Sequence, residues 1–345
     1  MSDSQMRFLI IRFSSMGDIA LTNPVLDILY ENYGRDCVDY ITKSIFTPLI
    51  KNHPAVNHVM SPGKTVTLRK LRKMIRHENY YKILDLHKNL RSFFLTLGIK
   101  NVKRYKKEVI KRELLSRLKI SRPPFFHVCQ KYLQTLFPSP LIPQSNLYIP
   151  DESVIRAENL DYYQTLQKSR CSLILAPGAS KVTKMLPFET WEMVLKNVRD
   201  LFEYTMIVGN GMTESHWADK ISSDADYGKV INLTKRLTIA ELMLFISLGN
   251  LFAGNDSGPA HLAATLKKYT VVIFGQTSPD YGFKPLNNTV VIEPPVHLIC
   301  RPCGHLGYKS CPLGHHDCMR SIDAETIINE IRYGIQQIPN IEKIS

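Results

Sequence analysis

Short apolar runs alternate with segments of helical period along the whole chain, and this alternation constrains the fold most. In the first half, runs rich in Ile, Val and Phe occupy residues 8–13, 38–41, 56–60, 83–86 and 102–105. Loops that contain Gly or Asp follow them, and then come helical segments, which we expect at 18–33, 68–77, 90–97 and 128–137. This order is typical of parallel βα units, so we predict a doubly wound α/β domain.

The same pattern restarts in the second half, which predicts a second domain of the same kind. Its apolar runs occupy residues 172–176, 206–208, 230–233, 251–253 and 271–274. Helix starts are indicated by Pro187 and by a capping box that begins at Thr238. Three prolines in 138–146 mark a connector, and we place the domains at 1–165 and 166–345, with a terminal helix at 324–338. Two such domains facing one another across a cleft predict a ligand between them.

Composition excludes several classes of protein. No stretch of 18 or more uncharged apolar residues occurs, which argues against a membrane-spanning segment. With 44% hydrophobic and 22% charged residues the chain is that of a folded protein, and 7 cysteines in 345 residues are too few for a disulfide scaffold. The polar start leads directly into residues 7–13, which are too few and too charged for a secretion signal. We therefore expect a soluble cytoplasmic protein.

The excess positive charge of the chain is confined to one segment. The formal net charge is +13, and residues 61–122 contain 19 Lys and Arg against 4 Asp and Glu. Residues 68–76 are amphipathic at helical spacing, so a solvated helix face accounts for part of this charge. A docking surface for nucleic acid, anionic lipid or a phosphorylated sugar is the other interpretation, and charge alone does not choose among these partners.

Three loops at predicted strand ends carry polar residues suited to binding or chemistry. Residues 14–18 allow a tight strand-to-helix turn, in which Asp18 is either an N-cap or a functional carboxylate. Residues 254–261 enter a helix at Pro259 and offer free amides and a helix dipole to a diphosphate. Residues 177–184 supply two lysines beside small residues. No Gly-x-Gly-x-x-Gly follows a strand, which disfavours a dinucleotide site.

Taken together, the three motifs resemble those of a known enzyme family. They read Ser-Ser-Met-Gly-Asp-Ile-Ala-Leu-Thr-Asn-Pro at 14–24, Pro-Gly-Ala-Ser at 177–180 with a lysine shortly before Pro187, and Asn-Asp-Ser-Gly-Pro-Ala-His-Leu-Ala-Ala at 255–264. In this order they are similar to glycosyltransferase family 9, the ADP-heptose:lipopolysaccharide heptosyltransferases. The resemblance implies the GT-B architecture, with two Rossmann-like domains, acceptor on the first and sugar nucleotide on the second. It also implies inverting transfer without a catalytic metal or other cofactor.

The resemblance also assigns roles to individual residues. Asp18 matches the family's aspartate that is proposed as general base. Lys184 matches the lysine that contacts the phosphates, whose growing charge must be met by fixed positive groups. The remaining donor-site candidates are Ser180, Glu214, Asp256, Ser257, Gly258, Pro259 and His261. The acceptor-site candidates are Ser15, Gly17, His87 and Arg91. The family's usual pattern has a Gly where this chain has Lys88.

Four late cysteines need a separate interpretation. Cys300, Cys303, Cys311 and Cys318 form a Cys-x2-Cys-x7-Cys-x6-Cys series, with His305, His315 and His316 among them. Four thiolates at such spacing are compatible with a structural zinc. Reduced packing cysteines and redox pairing are the alternatives.

The resulting hypothesis is an enzyme that transfers heptose from ADP-heptose to the lipopolysaccharide inner core. We expect a lipid-linked anionic sugar as acceptor, peripheral contact with the anionic inner face of the inner membrane, and no nucleic acid. Within the fold, the alternative is a family 9 transferase that uses another nucleotide sugar. The alternative from another class is a non-catalytic protein that binds nucleic acid or another anionic polymer through the basic segment.

Overall fold

The computed structural model describes residues 6–108, 126–138, 145–304 and 306–338, and these fall into two compact units. Of the described residues, 6–108, 126–138 and 145–150 form the first unit, and those of the second unit begin at Asp151. Most of the predicted connector, residues 139–144, lies outside the described residues.

A five-stranded sheet forms the centre of the first unit. The strands are β1 Phe8–Ile11, β2 Val38–Ile41, β3 Val56–Met60, β4 Lys82–Asp85 and β5 Val102–Arg104. Their order in the sheet is β3-β2-β1-β4-β5, and every pairing is parallel. Strands β1 and β2 are buried along their length, as expected for parallel strands covered on both faces. All five strands predicted for this half are confirmed.

Two helices of the first unit differ from expectation: residues 18–33 form two helices instead of one, and the helix predicted at 128–137 ends at Leu133. The helices of this unit are α1 Met16–Ala20, α2 Asn23–Tyr33, α3 Leu68–His77, α4 Leu90–Thr96 and α5 Val128–Leu133. The prediction of one helix over 18–33 is wrong, because the helix is interrupted between α1 and α2. Pro24 has no amide hydrogen to continue the helix, and the side-chain amide of Asn23 donates instead to the carbonyl of Ala20 at 3.0 Å.

A second parallel sheet, of six strands, forms the centre of the second unit. The strands are β6 Ser172–Ala176, β7 Tyr204–Ile207, β8 Val230–Asn232, β9 Leu251–Asn255, β10 Tyr269–Ile273 and β11 Thr289–Ile292. Their order in the sheet is β11-β10-β9-β6-β7-β8. The sequence analysis predicted the first five and missed the edge strand β11.

The helices of the second unit pack on this sheet around a core that includes the fully buried Trp191. They are α6 Ala157–Gln167, α7 Phe188–Val198, α8 Met212–Ser222, α9 Ile239–Leu248, α10 Gly258–Thr265, α11 Asp317–Arg320 and α12 Ala324–Gln336. The predicted terminal helix is thus present as α12, and it packs against α7 and the sheet of this unit.

Glu241 joins residues 151–165 to the second unit. Its carboxylate, fully buried at the start of α9, accepts hydrogen bonds from Arg156 Nη2 at 2.9 Å and from Asn159 Nδ2 at 2.9 Å. Because these contacts hold the start of α6 against α9, the division between the units falls after Pro150, earlier than the predicted boundary at residue 165.

Within the described part of the chain, no helix combines the length and the apolar character needed to cross a membrane.

Candidate active site

Asp18 lies in the first turn of α1, directly beyond the carboxyl end of β1. Its Oδ2 accepts hydrogen bonds from Ser15 N at 3.1 Å and from Ser15 Oγ at 2.7 Å. The same oxygen lies 2.6 Å from Arg12 Nη2. The side chain keeps 20% of its surface exposed, so one part of a well-anchored carboxylate faces solvent.

Arg12 controls the charge of Asp18. Burial alone would raise the pKa of Asp18, but the positive charge of Arg12 and the hydrogen bonds from Ser15 outweigh it, and the net shift is downward. Arg12 is itself anchored, because its Nη1 donates to the carbonyl of Leu86 at 2.6 Å and its guanidinium lies 5.7 Å from the centre of the Tyr132 ring. Asp18 is therefore ionised at neutral pH.

The two interpretations of Asp18 are compatible in the structure. Ser15 is the N-cap of α1 and Asp18 is its third residue, so the carboxylate reaches back to the N-cap amide as in a capping box. All three polar contacts described above use Oδ2. Capping thus orients the carboxylate through Oδ2, and Oδ1 takes part in none of these three contacts.

The other acceptor-site candidates differ in exposure. Ser15 and Arg91 are exposed, Gly17 is buried inside α1, and His87 is half-buried. The His87 ring packs edge-on against Phe13, with 5.3 Å between ring centres. Burial and the nearby charge of Arg12 lower the pKa of His87 to about 4, so its imidazole is neutral at pH 7.

The loop that carries His87 is organised by Asp85. This fully buried carboxylate accepts hydrogen bonds from Lys88 N at 2.8 Å and from Ser92 Oγ at 2.9 Å. Lys88 has φ of 50°, in the left-handed region that favours glycine. A glycine at this position would adopt the same backbone conformation at a lower steric cost than Lys88.

A cavity of about 780 Å³ opens beside this loop in the first unit. It combines basic, small and apolar side chains, and its lining consists of Phe13, Lys43, Ser44, Ile45, Pro62, Gly63, Thr67, Leu68, Arg69 and Arg91. Arg91 was predicted as an acceptor-site residue, whereas Lys43 and Arg69 were not singled out. Three cations around one cavity suit an anionic ligand.

In the second unit, Lys184 and Asp256 form an ion pair between their Nζ and Oδ2 atoms. The same carboxylate oxygen accepts a hydrogen bond from Thr277 Oγ1 at 3.1 Å. The structure therefore brings together the predicted lysine of the loop after β6 and the predicted aspartate that follows β9. Thr277, which follows β10, was not predicted.

Asn255 ties the same two loops together. It is fully buried, its Nδ2 donates to the carbonyl of Pro177 at 2.5 Å, and its Oδ1 accepts from Leu186 N at 3.1 Å. Both ends of the loop that contains Ser180 and Lys184 are thereby fixed to the end of β9. Ser180 itself is exposed near the middle of the loop.

The start of α10 presents the remaining residues of the third motif. Ser257 is the N-cap, Gly258 and Pro259 are the first two helical residues, and His261 is buried in the first turn. The first amides of a helix lack partners within the helix and attract anions. This end of α10 follows directly on Asp256, the partner of Lys184.

Glu214 is buried at the start of α8 and is packed against glycines. Its Oε1 accepts a hydrogen bond from Gly211 N at 2.6 Å, and its carboxylate fills the space where a Cβ at Gly178 or Gly209 would lie. The structure thus places Glu214 beside the loop after β6, in a capping role for α8.

The late cysteines surround a segment that packs on the Lys184 turn. Tyr308 N donates to Thr183 Oγ1 at 2.7 Å, and Thr183 Oγ1 donates to the carbonyl of Tyr308 at 3.1 Å. A Cβ added at Gly307 would contact Lys181, which shows how closely the two segments approach. The sequence analysis did not predict these hydrogen bonds between Thr183 and Tyr308, since no local pattern links residues so far apart in sequence.

The metal prediction for these cysteines is not tested by the geometry. Cys300 Sγ lies 3.8 Å from His315 Nε2. Among the described residues, which exclude His305, no group of three or more His, Cys, Asp or Glu is arranged to hold a metal. A structural zinc on Cys300, Cys303, Cys311 and Cys318 stays a prediction, which metal analysis of the purified protein can test.

Comparison with protein families identifies the chain. The model of glycosyltransferase family 9 (heptosyltransferase) matches residues 68–309. The chain belongs to glycosyltransferase family 9. The resemblance drawn from the three motifs is therefore confirmed. Membership of this family also confirms the prediction of a glycosyltransferase.

Curated relatives carry heptosyltransferase names. Lipooligosaccharide heptosyltransferase 2 of Campylobacter jejuni is 40% identical over 109 residues, which are 30% of this chain and only 32% of the relative. Lipopolysaccharide heptosyltransferase 1 of Campylobacter coli is 24% identical over 311 residues, which are 83% of this chain and 89% of the relative. The high identity is thus local, whereas the weaker similarity extends over most of both chains.

Solved structures confirm the predicted fold. ADP-heptose lipopolysaccharide heptosyltransferase II of Escherichia coli matches with a TM-score of 0.71 at 20% identity, over 96% of this chain and 99% of that one. The E. coli heptosyltransferase WaaC with ADP matches with a TM-score of 0.65 at 17% identity, over 95% and 100% of the two chains. Each unit of this family 9 protein is Rossmann-like, and the fold is GT-B.

Proposed function

We propose that this family 9 protein transfers a heptose from ADP-heptose to an anionic, lipid-linked sugar of the lipopolysaccharide inner core, with inversion at the anomeric carbon. One observation carries the proposal. In a chain of this family, Arg12 and Ser15 hold the Asp18 carboxylate ionised and in a fixed orientation at the carboxyl end of β1. Relatives and structural neighbours named as heptosyltransferases support the choice of sugar.

Asp18 acts as the general base in this mechanism. An acceptor hydroxyl attacks the anomeric carbon of the donor from the face opposite the diphosphate, and its proton passes to the Asp18 carboxylate. One carbon–oxygen bond forms to the acceptor while the bond from the anomeric carbon to the phosphate oxygen breaks. The electron pair of that bond leaves with ADP.

Lys184 and the start of α10 stabilise the departing diphosphate. Lys184 supplies a full positive charge, and the amides around Ser257 and Gly258 supply the partial charge of a helix N-terminus. Asp256 pairs with Lys184 in the structure, so the diphosphate replaces or joins this carboxylate when the donor binds. Ser180, Glu214 and His261 complete the proposed donor site.

The acceptor is bound through the cavity of the first unit. Lys43, Arg69 and Arg91 line it and suit the carboxylates or phosphates of an inner-core sugar. His87, neutral at pH 7, contacts the cavity residue Phe13 and stands near the proposed base. Ser15 and Gly17 shape the turn that presents Asp18.

Calorimetric titration with ADP and then with UDP tests the donor assignment. We expect selective binding of ADP, which Lys184→Ala weakens by about tenfold, roughly the value of one charge-assisted contact. Lys181→Ala, on the same loop, is the matched control and should bind ADP as the wild type does. Selective binding of UDP would keep the transferase and discard the heptose donor, and binding of neither nucleotide would contradict the proposal.

A further inference from the structure

Helix α4 carries a stripe of exposed apolar side chains. Leu90, Phe93 and Leu97 are 89%, 52% and 46% exposed, and their spacing places them along one face of the helix. The opposite face, with Ser92, Leu95 and Thr96, is buried against the first unit. Large apolar side chains grouped on a surface are unfavourable in water unless something covers them.

Basic side chains surround this stripe. Helix α3 packs beside α4, and Arg72 and Arg76 both donate to the carbonyl of Leu97, at 3.3 and 3.1 Å. Arg69, Lys70 and Lys73 of α3 are exposed.

Hardly any negative charge offsets these cations. Residues 61–107 contain 14 Lys and Arg but only two acidic residues, Glu78 and Asp85. Glu78 pairs with Arg7 at 2.7 Å, and Asp85 is fully buried beside Arg104. The surface around α3 and α4 is therefore both apolar and strongly positive.

The cavity of the first unit adjoins this surface. Leu68 and Arg69, at the start of α3, and Arg91, next to Leu90 on α4, line the cavity. Ile45, which is 63% exposed, lies on its lining as well. A ligand in this cavity is thus close to whatever covers the apolar stripe.

We propose that the α3–α4 face, made of Leu90, Phe93 and Leu97 with Arg69, Lys70 and Lys73, docks on an anionic lipid bilayer. Apolar side chains flanked by cations are the combination that enters the interface of such a bilayer: the side chains insert among the acyl chains while Lys and Arg meet the phosphates. Nucleic acid fits this face less well, because its phosphates would pair with the cations but make no apolar contact with Leu90 and Leu97.

Docking in this way sets the cavity at the membrane surface. The sugar of a lipid-linked acceptor then reaches Lys43, Arg69 and Arg91 while its lipid stays in the bilayer. This consequence rests on the proposed function, whereas binding of the face to lipid does not.

Vesicle flotation tests the proposal with the full chain. The probes are vesicles of phosphatidylcholine and vesicles of an equal mixture of phosphatidylcholine and phosphatidylglycerol, without donor or acceptor. We expect the wild type to float with the anionic vesicles only. Leu90→Ser combined with Phe93→Ser should weaken this binding by about tenfold or more, because two apolar side chains no longer insert.

Two further variants separate the contributions. Lys70→Gln with Lys73→Gln should weaken binding by about tenfold and reduce its dependence on salt. Leu160→Ser with Met193→Ser, at exposed positions of the second unit, is the matched control and should bind as the wild type does. Thermal unfolding checks each fold, and Leu90→Ser alone repeats the test at the most exposed position.

Unchanged binding of folded Leu90→Ser and of the double variant would overturn the proposal, as would equal binding of the wild type to neutral vesicles. If duplex RNA competes with the vesicles for the protein, and the apolar substitutions do not change binding, the face would be assigned to nucleic acid instead.

An activity assay separates this proposal from the proposed function. Transfer to a water-soluble acceptor without acyl chains should be unaffected by Leu90→Ser with Phe93→Ser. If the wild type fails to transfer there, the proposed function fails while the lipid-binding result stands.

Discussion

Arg12, which follows strand β1, and Asp18, on the first helix, are joined by an ion pair with 2.6 Å between Nη2 and Oδ2. The arginine also binds the carbonyl of Leu86, at the end of β4. One guanidinium thus connects the carboxyl ends of two neighbouring strands with the proposed base. It keeps the carboxylate charged and sets its orientation.

Replacing Arg12 should change the pH dependence of transfer. Arg12 lowers the pKa of Asp18, so Arg12→Met should raise that pKa and move the acid limb of kcat/KM to higher pH. Arg12→Lys, which retains a positive charge, should restore most of the wild-type profile. The other groups that act electrostatically with Asp18 or Arg12 are Tyr40, His87, Tyr105 and Tyr132, and both variants retain these side chains. Arg12→Met should also raise the pKa of His87, because the charge of Arg12 lowers it in the wild type.

The measurement is the pH profile of kcat/KM for the three proteins, with thermal unfolding as a check on the fold. An acid limb at the same pH in Arg12→Met would contradict the role of Arg12. A uniform loss of rate at every pH would indicate a role in structure only.

Glu241 should make the stability of the protein depend on pH in the acid range. Burial alone would raise its pKa, but hydrogen bonds from Arg156, Asn159 and Thr238 lower it to about 2, from an ordinary value of 4.5. A lowered pKa stabilises the fold above the ordinary value, and this contribution is lost as pH falls from about 4.5 toward 2.

Urea unfolding between pH 7 and pH 2 measures this effect. The free energy of unfolding should fall across that window, and Glu241→Gln should be less stable at pH 7 and show a flatter dependence. The same slope in the variant and the wild type would show that other carboxylates are responsible.

Lys88 should tolerate glycine better than a β-branched residue. Its φ of 50° costs little for Gly, so Lys88→Gly should leave the free energy of unfolding within about 1 kcal/mol of wild type. Lys88→Val should lose about 1–2 kcal/mol, because its Cβ opposes the left-handed backbone. Lys73→Gly, in the middle of α3, is the control and should lose about 1 kcal/mol. Equal effects of Gly and Val at position 88 in urea unfolding would contradict this explanation.

The parts of the fold that were predicted correctly have local causes. A buried parallel strand needs consecutive apolar residues, and such runs are visible in the sequence from β1 to β10. The start of α9 also has a local cause and was predicted, since Thr238 and Glu241 form their capping box within one turn. The break between α1 and α2 was signalled only by Pro24, which is also common at helix starts, so the pattern alone did not separate the two cases.

The parts of the candidate site that were missed depend on contacts distant in sequence. In the sequence, the only sign of the role of Arg12 was a charged residue directly after an apolar strand. The carbonyl that Arg12 binds belongs to Leu86, which directly follows another strand, β4. Likewise, Asn255 binds Pro177 and Leu186, and Thr183 binds Tyr308. The motifs identified the residues proposed to contact substrate, whereas the residues that hold them in place became visible only in three dimensions.

Transfer from ADP-heptose by the wild type and by Asp18→Asn tests the central claim most directly. Asp36→Asn, an exposed carboxylate in the same unit, is the matched control. We expect the wild type and the control to release ADP at the same rate in the presence of an inner-core acceptor. Asp18→Asn should be about 10²- to 10⁴-fold slower, the usual contribution of a general base, while it binds ADP normally. Transfer by Asp18→Asn at the wild-type rate would contradict the assignment of Asp18 as the base.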